Sequence, residues 1–341
     1  MAYTTIDKPS DYFETILWSS VDTSITGLDF QPDWVWIKSR TNADTHVLFD
    51  SVRGTGKRLS SSGTTVEQTK TDELTAFNSD GFTIGTGDNV NRASNNYVAW
   101  NWKAGGSASS NSNGSITSSV SANTTAGFSI VSYTGAGGSS NVGHGLGVAP
   151  NFIIAKNRDS GSLSWFVSND AIGWTKRLKL DGSNNAATNV AFGDTNPDST
   201  KFYLQDNNLN TSGQAHIAYC FAEKKGYSKF GSFTGNSNAD GTFVFCGFRP
   251  AWILVRNVEI SEGFWVINDN KRNTFNPNSN TLVAQNNNSV DAGTDRTDFL
   301  SNGFKLRTTS GAWNGSGNKI IYMAFAESPL VNSNGVPTNA R

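Results

Sequence analysis

Three stretches of this chain share one pattern: a proline, one variable residue, a short aromatic and β-branched run, and a cation six residues after the proline. They are Pro32-Asp33-Trp34-Val35-Trp36-Ile37-Lys38, Pro150-Asn151-Phe152-Ile153-Ile154-Ala155-Lys156 and Pro250-Ala251-Trp252-Ile253-Leu254-Val255-Arg256. Proline fixes φ and has no N–H to donate, so it suits the first residue of a strand and not its middle. The apolar run is strand-length and too short for a helix. The cation is expected to lay its stem on apolar surface and carry its charge to water. The prolines are 118 and 100 residues apart. A period near 100 residues is too long for a solenoid unit and fits β-sandwich domains that each bury a core.

Other segments recur in the same order. Each copy opens on an alternating run, at Tyr12, at Gly127-Phe128-Ser129-Ile130 and at Tyr227-Ser228-Lys229-Phe230. Each closes on another, Tyr97-Val98-Ala99-Trp100-Asn101-Trp102, His216-Ile217-Ala218-Tyr219-Cys220-Phe221 and Tyr322-Met323-Ala324-Phe325-Ala326. Trp100 and Trp102 share one face of the first closing strand, and Tyr219 and Phe221 share one in the second. In the third, either Ala324 and Ala326 or Met323 and Phe325 carry the packing. Asp80-Gly81-Phe82 and Asn302-Gly303-Phe304 read as a turn leading into a strand, with glycine permitting positive φ. Gly105 to Ala126 is almost entirely Gly, Ser, Asn, Thr and small residues, the composition of a flexible coil unless it packs on something.

The expected organisation is all-β: three tandem β-sandwich, jelly-roll-like repeats of about 100 residues. They span 12–104, 127–225 and 226–327, with an arm at 1–11, a linker at 105–126 and a tail at 328–341. Turn-formers between aromatic-rich runs point the same way, with 34 glycines and ten tryptophans among 341 residues. The formal charge of −1 gives no reason to expect nucleic acid or an acidic membrane surface. No apolar run is long enough for a membrane helix, so no membrane insertion is expected. The N-terminus lacks the basic-then-apolar pattern of a signal peptide. Cys220 and Cys246 make no disulfide framework and read as buried thiols of a protein made in a reducing cytosol.

Candidate chemistry is thin. His46, His144 and His216 are scattered, and zinc needs clustered ligands. Gly54-Thr55-Gly56-Lys57 lacks the glycine that a phosphate loop needs at position 51, which is Ser51. Asn236-Ser237-Asn238-Ala239-Asp240-Gly241 begins like a calcium loop but lacks its closing carboxylate, so it reads as a turn. Asp50 with Arg53, and Asp269 with Arg272, read as ion pairs closing strand ends. The second repeat has Asn169-Asp170 there and no arginine. No nucleophile, metal cluster, cofactor or paired-carboxylate mechanism is expected, hence no hydrolytic activity. Most tryptophans lie inside strand patterns and read as core. Trp174 and Trp313 sit in Gly- and Asn-rich settings and are the candidates for exposed, glycan-contacting aromatics.

The segments Tyr227 to Asn236, Gly247 to Asn257, Asp298 to Arg307 and Tyr322 to Glu327 resemble a recurrent repeat of virion proteins from tailed bacteriophages, notably marine and cyanobacterial ones. Trp34 to Arg40 and Phe49 to Gly54 resemble it too. The likeness covers about residues 12–327. It is close in the third copy, whereas the second departs at Trp174 and lacks the turn glycine. The resemblance implies a non-enzymatic component of a phage tail or fibre involved in host attachment, located on the virion exterior and made in the bacterial cytoplasm. Its partners would be other virion proteins, further copies of itself (a trimer, as in many fibres) and a host cell-surface glycan. A capsid decoration protein is the first alternative and a carbohydrate-binding array the second. The arm and first repeat are the expected particle anchor, because the linker separates them from the other two.

Overall fold

The computed structural model describes residues 3–20, 22–288 and 297–338. Met1 and Ala2 of the arm and residues 339–341 of the tail lie outside the described residues. The described chain is built of antiparallel sheets with three four-residue helices, Asp88–Asn91, Asn207–Asn210 and Gly311–Asn314.

Four strands recur in each third of the chain. Opening strands are Phe13–Ser19, Phe128–Thr134 and Ser228–Thr234; proline-led strands are Trp34–Ser39, Phe152–Asn157 and Phe248–Asn257. Following strands are Val47–Asp50, Phe166–Asn169 and Val266–Asp269; closing strands are Asn96–Trp102, Ala215–Phe221 and Lys319–Pro329. Their order across the sheet is the same each time: opening, closing, proline-led, following. So is the register. The residue two past the proline faces the last aromatic of the closing strand, as Trp34↔Trp102, Phe152↔Phe221 and Trp252↔Phe325. Pro32 and Pro150 precede their strands as expected. Pro250 lies inside its strand, but at a register shift, where a ladder tolerates a missing donor.

A smaller sheet lies against one face of each main sheet. The partners are Ser24–Thr26 with Gly81–Ile84 and Leu74–Asn78, Ser140–Gly143 with Lys201–Leu204, and Phe243–Phe245 with Gly303–Leu306 and Thr297–Leu300. The layers enclose separate cores, for example Val35, Ile37, Phe49 and Phe82 in the first. The other face of each main sheet looks at the other two repeats. There one continuous core holds Trp34, Trp36, Trp100 and Trp102 of the first repeat. It also holds Phe152, Tyr219 and Phe221 of the second, and Trp252, Met323 and Phe325 of the third. The third closing strand thus packs through Met323 and Phe325, while Ala324 and Ala326 face its own small sheet. Both faces of the main sheets are covered, which is why the proline-led strands are buried at nearly every position.

The face assignment follows from period 2. Residues two, four and six past the proline share a side, so Lys38, Lys156 and Arg256 point into the inter-repeat core with the aromatics. The expectation that their charges reach water is corrected: all three are fully buried.

The linker is not a free coil. Ser109–Asn111 and Ser118–Asn123 extend the second main sheet, the latter pairing with the opening strand from Ser118↔Tyr133 to Asn123↔Phe128. Ile116 makes a parallel bridge to Val142, and Ile116 and Val120 enter the second repeat's core. Its Ser, Thr and Val tolerate extended backbone. Its glycine serves close approach: a Cβ on Gly114 would sit 2.4 Å from the Asn141 carbonyl oxygen. The turn glycines need the same explanation. A Cβ on Gly81 would meet Ile25 O at 1.9 Å and one on Gly303 would meet Val244 O at 2.0 Å. Gly303 has no positive φ, so proximity of the neighbouring strand is the constraint there. The second repeat has Lys201 at this place and puts glycine opposite it, at Gly143.

Candidate functional site: the junctions between repeats

The polar residues singled out in the sequence converge where the repeats meet. Three sets of equivalent side chains lie where each repeat meets its neighbour, and several of them bond across the junction.

The residue just before each following strand forms the first set. Trp165 donates its indole N–H to Ser60 O (2.7 Å), reaching from the second repeat to the first. Trp265 donates likewise to Lys179 O (2.7 Å), from the third to the second. His46 holds this place in the first repeat. Burial, with Lys38 beside it, holds its pKa well below the usual histidine value against a smaller opposing influence of the Val283 carbonyl of the third repeat, and among the described residues its Nε2 has no hydrogen-bond partner. Ser60, Lys179 and Val283 each follow the leucine of an equivalent segment, Leu59, Leu178 and Leu282. The three positions are therefore equivalent, with hydrogen bonds between repeats at two of them.

The buried cations form the second set. Lys156 Nζ donates to Thr64 O (3.0 Å) of the first repeat and to Ser160 O and Leu163 O of its own. Arg256 donates to Gly182 O and Asn184 O of the second repeat and stacks on Trp265 at 5.4 Å. Lys38 Nζ donates to Ser39 O and Asn42 O within its own repeat. Burial lowers the Lys156 pKa to about 8 and the Arg256 pKa to about 10.

The third set is the pair of carboxylates. Asp50 Oδ1 accepts the backbone N–H groups of Val52 and Arg53, and Oδ2 accepts Arg53 Nε and the Tyr219 hydroxyl (2.7 Å) of the second repeat. Asp269 Oδ1 accepts Lys271 N and Arg272 N, and Oδ2 accepts Arg272 Nε and the Trp100 indole (3.0 Å) of the first repeat. In the second repeat the carboxylate is replaced by Asn169, whose Oδ1 still caps Ala171 N and Ile172 N. Met323, which has no hydrogen to donate, stands where the neighbouring repeat's donor would be, and Ile172 stands where the arginine would be. All members of that junction are apolar or neutral together, and Met323 and Ile172 belong to the shared core. Where the donor from the neighbouring repeat is lost, the buried charge and its counterion are lost with it, as the cost of an unpaired buried charge demands.

Burial acts to lower the Arg53 pKa, but Asp50, Tyr219 and Glu67 outweigh it and hold it above its usual range. Glu67 is in turn clamped by Arg158 of the second repeat at 2.8 Å through both oxygens. Burial works to raise the Glu67 pKa, yet Arg158 and Arg53 bring it below the usual carboxylate range. These are the strand-end ion pairs expected from the sequence, with a further role in joining repeats that spacing alone did not reveal.

Trp174 and Trp313 are not exposed. They are 3% and 1% accessible, which corrects their reading as glycan-contact residues. Trp174 donates to Asp170 Oδ1 (2.9 Å) and packs edge-on to Phe192. Trp313 lies on the helix Gly311–Asn314 where Leu209 and Val90, both buried, occupy the other two helices. A Gly- and Asn-rich setting marked tight turns around a core residue.

The remaining candidates resolve similarly. His46, His144 and His216 are buried, and among the described residues no group of His, Cys, Asp or Glu could hold a metal ion. Asp240 of the calcium-like turn pairs with Lys305 and Arg307 at 2.7 and 2.8 Å. Cys220 and Cys246 are free and buried, with burial pushing both thiols far up in pKa. The arm is docked: Tyr3 donates to Gly247 O (2.7 Å), Ser333 N donates to Asp7 Oδ1 (2.6 Å), and Ile6 enters the shared core. It holds the third repeat and the tail, so the linker does not isolate the arm and first repeat from the other two.

The chain belongs to the family described as a domain of unknown function, DUF7483, which matches residues 8–329. That span takes in all three repeats; Tyr3, Ile6, Asp7 and Ser333, which dock the arm and tail, lie outside it. No curated protein matches the chain.

Proposed function

We propose that the chain is a non-enzymatic structural component of a bacteriophage virion, of the tail or fibre type, acting in host-surface attachment. We also propose that residues 12–104, 127–225 and 226–327 are three sandwiches that share one core. The phage assignment rests on the resemblance of the repeat sequences. The observation that carries the structural role is that the constellations with chemical potential are consumed in joining the repeats: Asp50 with Arg53, Asp269 with Arg272, Lys156 and Arg256. A capsid decoration role is the second reading; the arm, docked on the third repeat and the tail, is in keeping with a compact subunit of that kind. The three repeats bury their aromatic faces against one another within one chain, so trimerisation would use outer surfaces. Light scattering tests the trimer. Mass spectrometry and cryo-electron microscopy of purified particles test the location, tail against capsid. Absence of the chain from purified virions would refute the proposal. So would turnover of a host polysaccharide by the purified chain, abolished by Asp269→Asn.

A further inference from the structure

The linker does more in the second repeat than connect. It runs along the edge strand Ser140–Gly143 of the small sheet. Ser115 N donates to Asn141 Oδ1 (2.8 Å), Ser118 Oγ donates to Gly143 O (3.0 Å), and Ile116 bridges Val142. Gly143 lies so close to Asn111 that a Cβ would sit 2.0 Å from Asn111 Oδ1. The same segment pairs with the opening strand, so Tyr133 at its end is buried.

The third repeat has the same two edges, and among the described residues only Glu223 and Lys224 meet the start of its opening strand, with no segment laid along the rest. Only six residues lie between the closing strand at Phe221 and the opening strand at Ser228, too few to repeat the linker's path. The equivalents follow from pairing. Asn141↔Tyr203 and Gly143↔Lys201 match Phe243↔Lys305 and Phe245↔Gly303. Phe243 and Phe245 are 42% and 54% exposed, and the opening strand beside them is half-buried along most of its length. In the first repeat, where no described segment pairs with this edge, these positions are Ser24 and Thr26. This edge is thus polar in one repeat and bears two phenylalanines in the other. An edge strand with exposed apolar residues is a template for another strand, and proteins usually blunt it.

We infer that this face of the third repeat docks an extended, uncharged peptide strand donated by another protein chain, taking the path that residues 109–123 take over the second repeat. Ser, Thr and Asn would meet the strand edges, and alternate aliphatic side chains, in the places of Ile116 and Val120, would close the core beside Phe233 and Phe304. This is pairing with a sheet edge, in which backbone bonds give affinity and alternate side chains give specificity. Its support is the comparison of repeats, and it holds whether or not the chain is a virion component.

The test uses the full chain and a dye-labelled peptide of residues 107–124 as the probe, read by fluorescence anisotropy. Saturable binding is expected. The Phe243→Ser/Phe245→Thr variant, which installs the residues of the first repeat at exposed positions, is expected to fold normally and to bind at least about tenfold more weakly. A probe carrying Ile116→Asp and Val120→Asp is expected to lose binding. No saturable binding, or equal binding to both proteins, would overturn the inference. Self-association of the wild-type chain that the variant abolishes, without peptide binding, would also overturn it, because a second copy would then cover the face.

Discussion

Replacing Arg53 by isoleucine reproduces at the junction of the first and second repeats the residue that Ile172 supplies at the junction of the second and third. Alone it removes the Nε–H bond to Asp50, the bonds to Leu48 O and Lys57 O, and the contact with Glu67. Asp50 keeps two backbone N–H groups and the Tyr219 hydroxyl but loses its countercharge in a fully buried site. Breaking one side of a buried pair costs about 3–5 kcal/mol. Asp50→Asn alone leaves a buried guanidinium facing a neutral amide, and about the same loss is expected. The double variant restores the neutral set found at Asn169 and Ile172. In it the introduced amide oxygen would still cap the turn, as that of Asn169 does, and the amide N–H can donate to the Tyr219 oxygen. The double variant should therefore lose at least about 2 kcal/mol less than the two single losses combined, within the range of couplings between contacting residues. Chemical denaturation with linear extrapolation measures each value, provided refolding is reversible. Additive losses, or single variants that each cost less than about 1 kcal/mol, would refute the claim that the charges are held as a compensated set.

Trp34 and Trp252 find no acceptor for their indole N–H among the described residues, and the second repeat has Phe152 at the same place. Trp34→Phe should cost less than about 1.5 kcal/mol, because losing an unsatisfied donor offsets lost volume, whereas Trp34→Ala should cost about 3–5 kcal/mol, both by denaturation. His216 is held neutral by burial, its pKa lowered to about 4. The unfolded state therefore binds the proton first, and stability is lost as pH falls below about 6.5 towards 4. His216→Phe, which keeps the stacking on Tyr133, should flatten the wild-type loss between pH 7 and 5 by about 2 kcal/mol. Trp174→Phe and Trp313→Leu should leave any glycan binding unchanged in a glycan array, since both side chains are core.

The strand content was legible because proline, alternation and aromatic runs are local signals. So was the recurrence of the strand pattern; period 2 puts Lys38, Lys156 and Arg256 on the face of Trp34, Phe152 and Trp252, but the usual habit of a long cationic side chain pointed their charges to water. What lay opposite that face was not legible. A sheet that packs on its own small sheet and one that also packs on two neighbours carry the same apolar alternation; the distinction lies in nearly every position being buried. The junction partners were hidden for a related reason. Asp50 and Tyr219 are 169 residues apart, and no local pattern links them. One trace was available: the second repeat lacks its carboxylate and arginine, and the third lacks an aromatic at Met323. The two absences belong to one contact. Composition misled twice, at the linker and at Trp174 and Trp313, because glycine that permits close backbone approach cannot be told from glycine that confers freedom.

Differential scanning calorimetry of the full chain tests most directly whether the three repeats form one cooperative body. A core shared by Trp34, Tyr219, Trp252 and Phe325 predicts a single transition whose calorimetric enthalpy is about equal to its van't Hoff enthalpy. Independent domains predict separable transitions and a ratio near about three, and that result would contradict the account.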